Sequence, residues 1–133
     1  MHKGFLTTAA LLGCLAVALG AFGAHALKAI VTEQMLNAYE TGVRYQFYHV
    51  FALALTALCI KQNPQSHFHT AGRLFITGII LFSGSLYVMT WLDAAGITGM
   101  KWIGAITPLG GLAFVAAWIF LALGFQKAHK VEN

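Results

Sequence analysis

Charge is scarce in this sequence: eight Lys and Arg and four Asp and Glu make up 9% of 133 residues, against about a quarter in an ordinary soluble domain. A soluble fold of this length has too little polar surface to cover a chain that is 59% hydrophobic. The twelve charges fall almost entirely between or at the ends of four apolar runs, which is how a polytopic membrane protein spaces them. Cysteine is scarce too. Cys14 and Cys59 stand alone in separate runs, which excludes a CxxC site or a disulfide framework and leaves two small packing residues. The net charge is +4, but the basic residues are scattered, with no basic helix face or aromatic-interleaved patch, so nucleic acid is not an expected partner. No nucleophile–base–acid set, carboxylate pair or phosphate loop occurs. Asp93 and the glutamates sit in connections, so an enzyme is not expected, nor a cofactor. His67-x-His69 has no second ligand pair, so no metal is expected either.

The runs themselves set the architecture. The first, Gly4 to Ala26, opens behind His2 and Lys3 and closes on Ala24-His25-Ala26, imitating a leader with an A-x-A site, and Leu11-Leu12-Gly13-Cys14 imitates a lipoprotein box. At about 23 residues the run is long enough to span, and it is expected to be a retained helix. Lys28 to Arg44 is a polar connection in which Val31, Met35, Tyr39, Val43 and Phe47 recur every four residues, the stripe of an amphipathic helix. Such a helix either lies at the interface or runs on into the second span, residues 43–60. Pro64 marks a turn, residues 72–92 form the third span, and residues 102–125 the fourth. There Thr107-Pro108 reads as a helix start with Thr as N-cap and Pro at N1. Either residues 104–107 are non-helical inside the membrane, or the helix is continuous and kinked at Pro108. The expected fold is therefore all-α, one domain over residues 1–133. It is a four-transmembrane-helix bundle with an interfacial amphipathic helix between spans one and two. Four spans put both termini on one side, and five basic residues there against three opposite place that side in the cytoplasm.

Polar residues inside the spans are the candidate site. His25, Gln46, His49, Ser83, Ser85, Tyr87 and Thr107 are all expected in the outer half of the membrane. Thr7, Cys14, Ala18, Ala21 and His25 share one face of span one, and Ser83, Tyr87 and Thr90 align on span three. Glu40 and Arg44, spaced i,i+4, are expected to form an ion pair at headgroup level. One reading is a polar pocket in which His25, Gln46, His49, Ser83, Tyr87 and Thr107 bind or pass a small solute, a proton or a lipid headgroup. The other is a structural or interaction protein, in which the hydroxyls and imidazoles only fix helix packing and the small-xxx-small stripe Ala16, Gly20, Ala24 mediates association. The lipid bilayer is the expected environment, with a second copy or another membrane protein as the candidate partner.

Four ordered motifs carry a resemblance: Gly20-Ala21-Phe22-Gly23-Ala24-His25-Ala26-Leu27, Tyr45-Gln46-Phe47-Tyr48-His49, Phe82-Ser83-Gly84-Ser85-Leu86-Tyr87 and Ile106-Thr107-Pro108-Leu109-Gly110-Gly111. Together they resemble the small inner-membrane family of YgdD and YwdK type, domain of unknown function 423. The resemblance covers nearly the whole chain. It implies a four-helix protein of the bacterial inner membrane, and it implies no activity, substrate or catalytic residue.

Overall fold

Each of the four apolar runs is helical in the computed structural model, which describes residues 1–62, 66–97, 99 and 101–131. The helix α1 covers Lys3–His25 and is followed by a short 3₁₀ turn, Leu27–Ala29. Helix α2 covers Glu33–Gln62. The third span is composite, α3 (Ser66–Gly78), a π turn (Ile79–Ser83) and α4 (Gly84–Ala94) in one continuous rod. A second 3₁₀ turn, Lys101–Ala105, leads into α5, Ile106–Val131. Among the described residues, four segments are long and apolar enough to cross a bilayer: Lys3–Ala29, Glu33–Ile60, His67–Ala94 and Trp102–Lys127.

Local chemistry explains where the first two helices begin. The Phe5 N–H donates to Nδ1 of His2 at 3.1 Å, so a neutral imidazole with its hydrogen on Nε2 takes the capping role usually played by Ser or Asp. His2→Ala is expected to lower stability by about 1 kcal/mol, with His2→Asn restoring most of it, as read by detergent-titrated unfolding followed by circular dichroism. Thr32 starts α2, its Oγ1 accepting from the Met35 N–H at 3.3 Å.

The polar connection is not a separate interfacial helix; it forms the first turns of a 30-residue α2. The cause is tertiary. Tyr39 is buried, its ring lies over Gly23, and its hydroxyl donates to the Leu19 carbonyl at 2.8 Å. Val43 packs on Gly20. The middle of the stripe, Tyr39 and Val43, thus packs on α1 instead of floating at a lipid surface. Gly20, and with it the fully buried Ala16, spends the small-xxx-small stripe on a contact within the chain, while Ala24 is exposed.

The other departure lies at the start of span four. Helix α5 begins at Ile106, so Pro108 falls in its first turn, where a missing N–H breaks no intrahelical bond. The backbone before it is 3₁₀ rather than irregular, and Thr107 lies inside the helix instead of capping it. Helix α2 and the third span occupy the centre. α1 packs on α2 on one side, and α5 packs on α3 and the π turn on the other. Phe68, Phe75, Leu53, Ala57, Ala71, Phe114, Ala117 and Leu121 fill the core. Leu11, Phe51, Ile80 and Leu112 point outward, where lipid is the solvent.

Candidate functional site

Among the described buried polar residues, Gln46, Ser83, Ser85 and Thr90 bond one helix to another, while Thr56 donates to the Ala52 carbonyl of its own helix at 2.7 Å. Gln46, 1% exposed, donates from Nε2 to the Leu12 carbonyl of α1 at 2.7 Å. Its Oε1 accepts from the Tyr87 hydroxyl of α4 at 2.8 Å. One side chain therefore ties three helices. Ser83, fully buried at the end of the π turn, donates to the Gly42 carbonyl of α2 at 2.8 Å. Thr90 donates to its own helix at Leu86 at 2.9 Å and reaches the Met35 carbonyl at 3.3 Å. On the opposite side of span three, Ser85 and the Thr107 hydroxyl of α5 share a hydrogen bond of 2.7 Å. Thr107 thus spends its hydroxyl on a neighbouring helix.

The π turn makes these directions compatible. One residue more per turn than an α-helix shifts the register of the span. Ser83 then faces α2 while Ser85, two residues on, faces α5. The approach of α5 is close enough that a Cβ at Gly110 would collide with the Phe82 backbone.

The two histidines do not meet. His49 is buried, and its Nδ1 lies 2.6 Å from the Tyr45 carbonyl. Its ring stacks on Phe114 with centroids 3.4 Å apart and planes 5° from parallel. Phe75 at 5.8 Å and Trp118 at 6.3 Å complete an aromatic box. His25 is exposed, with Nδ1 2.9 Å from the Ala21 carbonyl of its own helix. Contacts of Gly20 with Val43 and Gly13 with Val50 fix the antiparallel register of α1 and α2. That register carries His25 to the level of Ala38, roughly 16 Å from His49 at 1.5 Å per residue. Removing each ring should separate the roles. His25→Ala is expected to change stability by less than about 0.5 kcal/mol, and His49→Ala to cost about 3 kcal/mol through the cavity it leaves.

The face of α1 that carries His25 also turns outward. Thr7, Cys14, Ala18 and Ala21 are exposed along with it, while Phe5, Ala9, Ala16 and Gly23 form the buried face. The Glu40–Arg44 ion pair is likewise replaced. The Arg44 guanidinium donates to Thr41 Oγ1 at 3.0 Å, and Thr41 in turn donates to the Asn37 carbonyl at 2.8 Å. Both charged residues are exposed, where an i,i+4 pair is worth only about 0.3–0.5 kcal/mol and a neighbouring hydroxyl competes. At the other membrane face His69 meets the edge of His2 at 5.2 Å, while His67 lies beside Phe120. No group of three potential metal ligands occurs among the described residues.

Of the six candidates, the structure joins Gln46 to Tyr87 directly, sets Ser83 on α2, Thr107 on Ser85 and His49 in an aromatic box, and leaves His25 outside. Tyr39 is a further clamp that sequence reasoning placed only in an apolar stripe. The glycine three residues before Ala26 was its signal, because a ring needs such a gap to reach a backbone carbonyl.

The family described as "Protein of unknown function (DUF423)" matches residues 19–111. The UPF0382 membrane protein YwdK of Bacillus subtilis is 41% identical over 126 residues, covering 94% of this chain and 98% of its own. A UPF0382 membrane protein of Haemophilus influenzae is 38% identical over 132 residues, 98% of this chain and 100% of its own. The UPF0382 inner membrane protein YgdD of Escherichia coli is 32% identical over 125 residues, 94% and 91% respectively. No solved structure matches.

Proposed function

The chain belongs to the DUF423 family of membrane proteins, and we propose that it acts as a non-catalytic, self-associating unit of the bacterial inner membrane with both termini in the cytoplasm. The observation that carries this reading is the outward seam of α1. Thr7, Leu11, Cys14, Ala18, Ala21 and His25 are all exposed, and they alternate at spacings of four and three. That is the a/d seam of a left-handed helix pair. Its residues are small except for Leu11 and His25, the composition that lets two helices approach in lipid. Gln46, Ser83, Ser85 and Thr90 of the interior are meanwhile bonded to neighbouring helices, which suits a rigid support better than a conduit. A second copy inserted in the same orientation brings the two seams together as a parallel pair. The relative in Escherichia coli, named as an inner membrane protein, supports that location, and the five-to-three excess of basic residues on the terminal side supports the orientation.

Cys14 sits in the seam and reports on it. Mild oxidation with a membrane-permeant oxidant is expected to give a covalent dimer that survives Cys59→Ser and disappears in Cys14→Ser. Ala18→Phe should reduce both the cross-link and the dimer fraction at fixed lipid-to-protein ratio. A protein that stays monomeric across lipid dilutions, with Cys14 freely alkylated, would overturn the proposal.

A further inference from the structure

A second feature lies on a different face, between α1 and α2. A cleft of about 170 Å³ is lined by Gly20, Gly23, Tyr39, Glu40, Val43 and Arg44. We infer that it holds the headgroup of an amine-bearing zwitterionic phospholipid, with the Arg44 guanidinium on the phosphate and the Glu40 carboxylate on the ammonium.

Depth is the first support. Arg44 lies seventeen residues along α2 from Lys61, and Gly20 lies seventeen along α1 from Lys3. Each distance is about 26 Å at helical rise, close to the thickness of a hydrocarbon core of about 30 Å. With Lys3 and Lys61 at one boundary, the cleft sits at the other, where phosphates begin. Gly20 and Val43 give the cleft an apolar wall at the level of Arg44.

The order of charges is the second support. Glu40 stands one turn beyond Arg44 on the same face, farther from the membrane centre. In a phospholipid the phosphate is attached next to the glycerol and the amine lies beyond it, so the axial order of protein charges matches that of the headgroup. The two protein charges are not spent on each other, because Arg44 is held by Thr41 Oγ1 at 3.0 Å and that hydroxyl by Asn37. This brace leaves guanidinium N–H groups for a phosphate, the geometry in which Arg is strongest. An anionic headgroup without an amine would set its outer oxygens against Glu40. A quaternary ammonium offers no N–H to the carboxylate.

The test uses the full-length protein, delipidated in detergent and titrated with phosphatidylethanolamine, phosphatidylcholine or phosphatidylglycerol, bound lipid being counted by native mass spectrometry. Phosphatidylethanolamine is expected to bind about three- to tenfold more tightly than the other two. Glu40→Gln should erase its advantage over phosphatidylcholine, and Arg44→Gln should weaken all three lipids. Circular dichroism should show both variants folded, since both residues are exposed. Free phosphoethanolamine should fail to compete, which separates a lipid site from a soluble-phosphate site. Equal binding of the three lipids, indifference to both substitutions, or competition by the free headgroup would overturn the inference. The Cys14 cross-link is read on the other face of α1, so either result stands without the other.

Discussion

Gln46→Ala is expected to destabilise the protein by about 3 kcal/mol. Two interhelical hydrogen bonds disappear with it, to Leu12 at 2.7 Å and Tyr87 at 2.8 Å, each worth about 0.6 and at most about 1.7 kcal/mol in a membrane. The Leu12 carbonyl keeps its own helical partner, but the Tyr87 hydroxyl is orphaned among packed helices, at a further cost of about 1–3 kcal/mol. Tyr87→Phe should cost less, about 2 kcal/mol, because Gln46 retains its bond to α1 while its buried Oε1 loses its partner. The double variant Gln46→Ala, Tyr87→Phe should then fall short of the two single effects combined by about 1 kcal/mol, since no hydroxyl is left to orphan. Reversible unfolding in mixed micelles measures all three. Strict additivity would mean that the two side chains are not coupled.

Gly110→Ala should have an effect of similar size for a different reason. The added methyl would stand against Phe82 Cα at 2.7 Å and its amide nitrogen closer still, and backbone cannot swing aside as a side chain can. Either α5 moves off the π turn or the helix distorts, at about 1–3 kcal/mol. The Ser85–Thr107 bond, at the same helix pair, should be lost with it. Gly84→Ala supplies the contrast: a Cβ there meets nothing within 4 Å and the backbone is helical. It should be neutral or stabilise by up to about 1 kcal/mol. Equal losses at both positions would mean that close helix approach at Gly110 is not what the glycine serves.

Spans were legible because hydropathy and charge spacing depend on composition alone, and the bilayer imposes one length on all of them. Which face of a helix turns inward was not. On α1, Thr7, Cys14, Ala18, Ala21 and His25 form as plausible an interior stripe as Phe5, Ala9, Ala16 and Gly23. Small and weakly polar residues suit either a helix contact inside the chain or one between chains. The register of α1 against α2 decided the matter, and it rests on pairs such as Tyr39 over Gly23 and Val43 beside Gly20 that lie far apart in sequence. The π turn was equally hidden. It leaves no mark on the pattern of Ile79 to Ser83, yet it sends Ser83 to α2 and Ser85 to α5. On span two the sequence marked Gln46 and His49 as polar residues inside a span, and both are buried. It could not tell a ligand site from hydrogen bonds to neighbours, because both need the same residue types at the same depth.

The claim that the buried polar groups join helices, and do not line a wet pocket, is tested most directly at Ser83, which is fully buried and bonded to the Gly42 carbonyl. In a protein carrying Cys14→Ala and Cys59→Ala, Ser83→Cys places a thiol of nearly the same shape there. Its rate of modification by a small charged thiol reagent is measured in sealed vesicles of either orientation. The hydrogen-bonded arrangement predicts no modification from either side until detergent unfolds the bundle, followed by complete reaction. Rapid modification of the folded protein from one side would contradict it and restore a water-filled pocket.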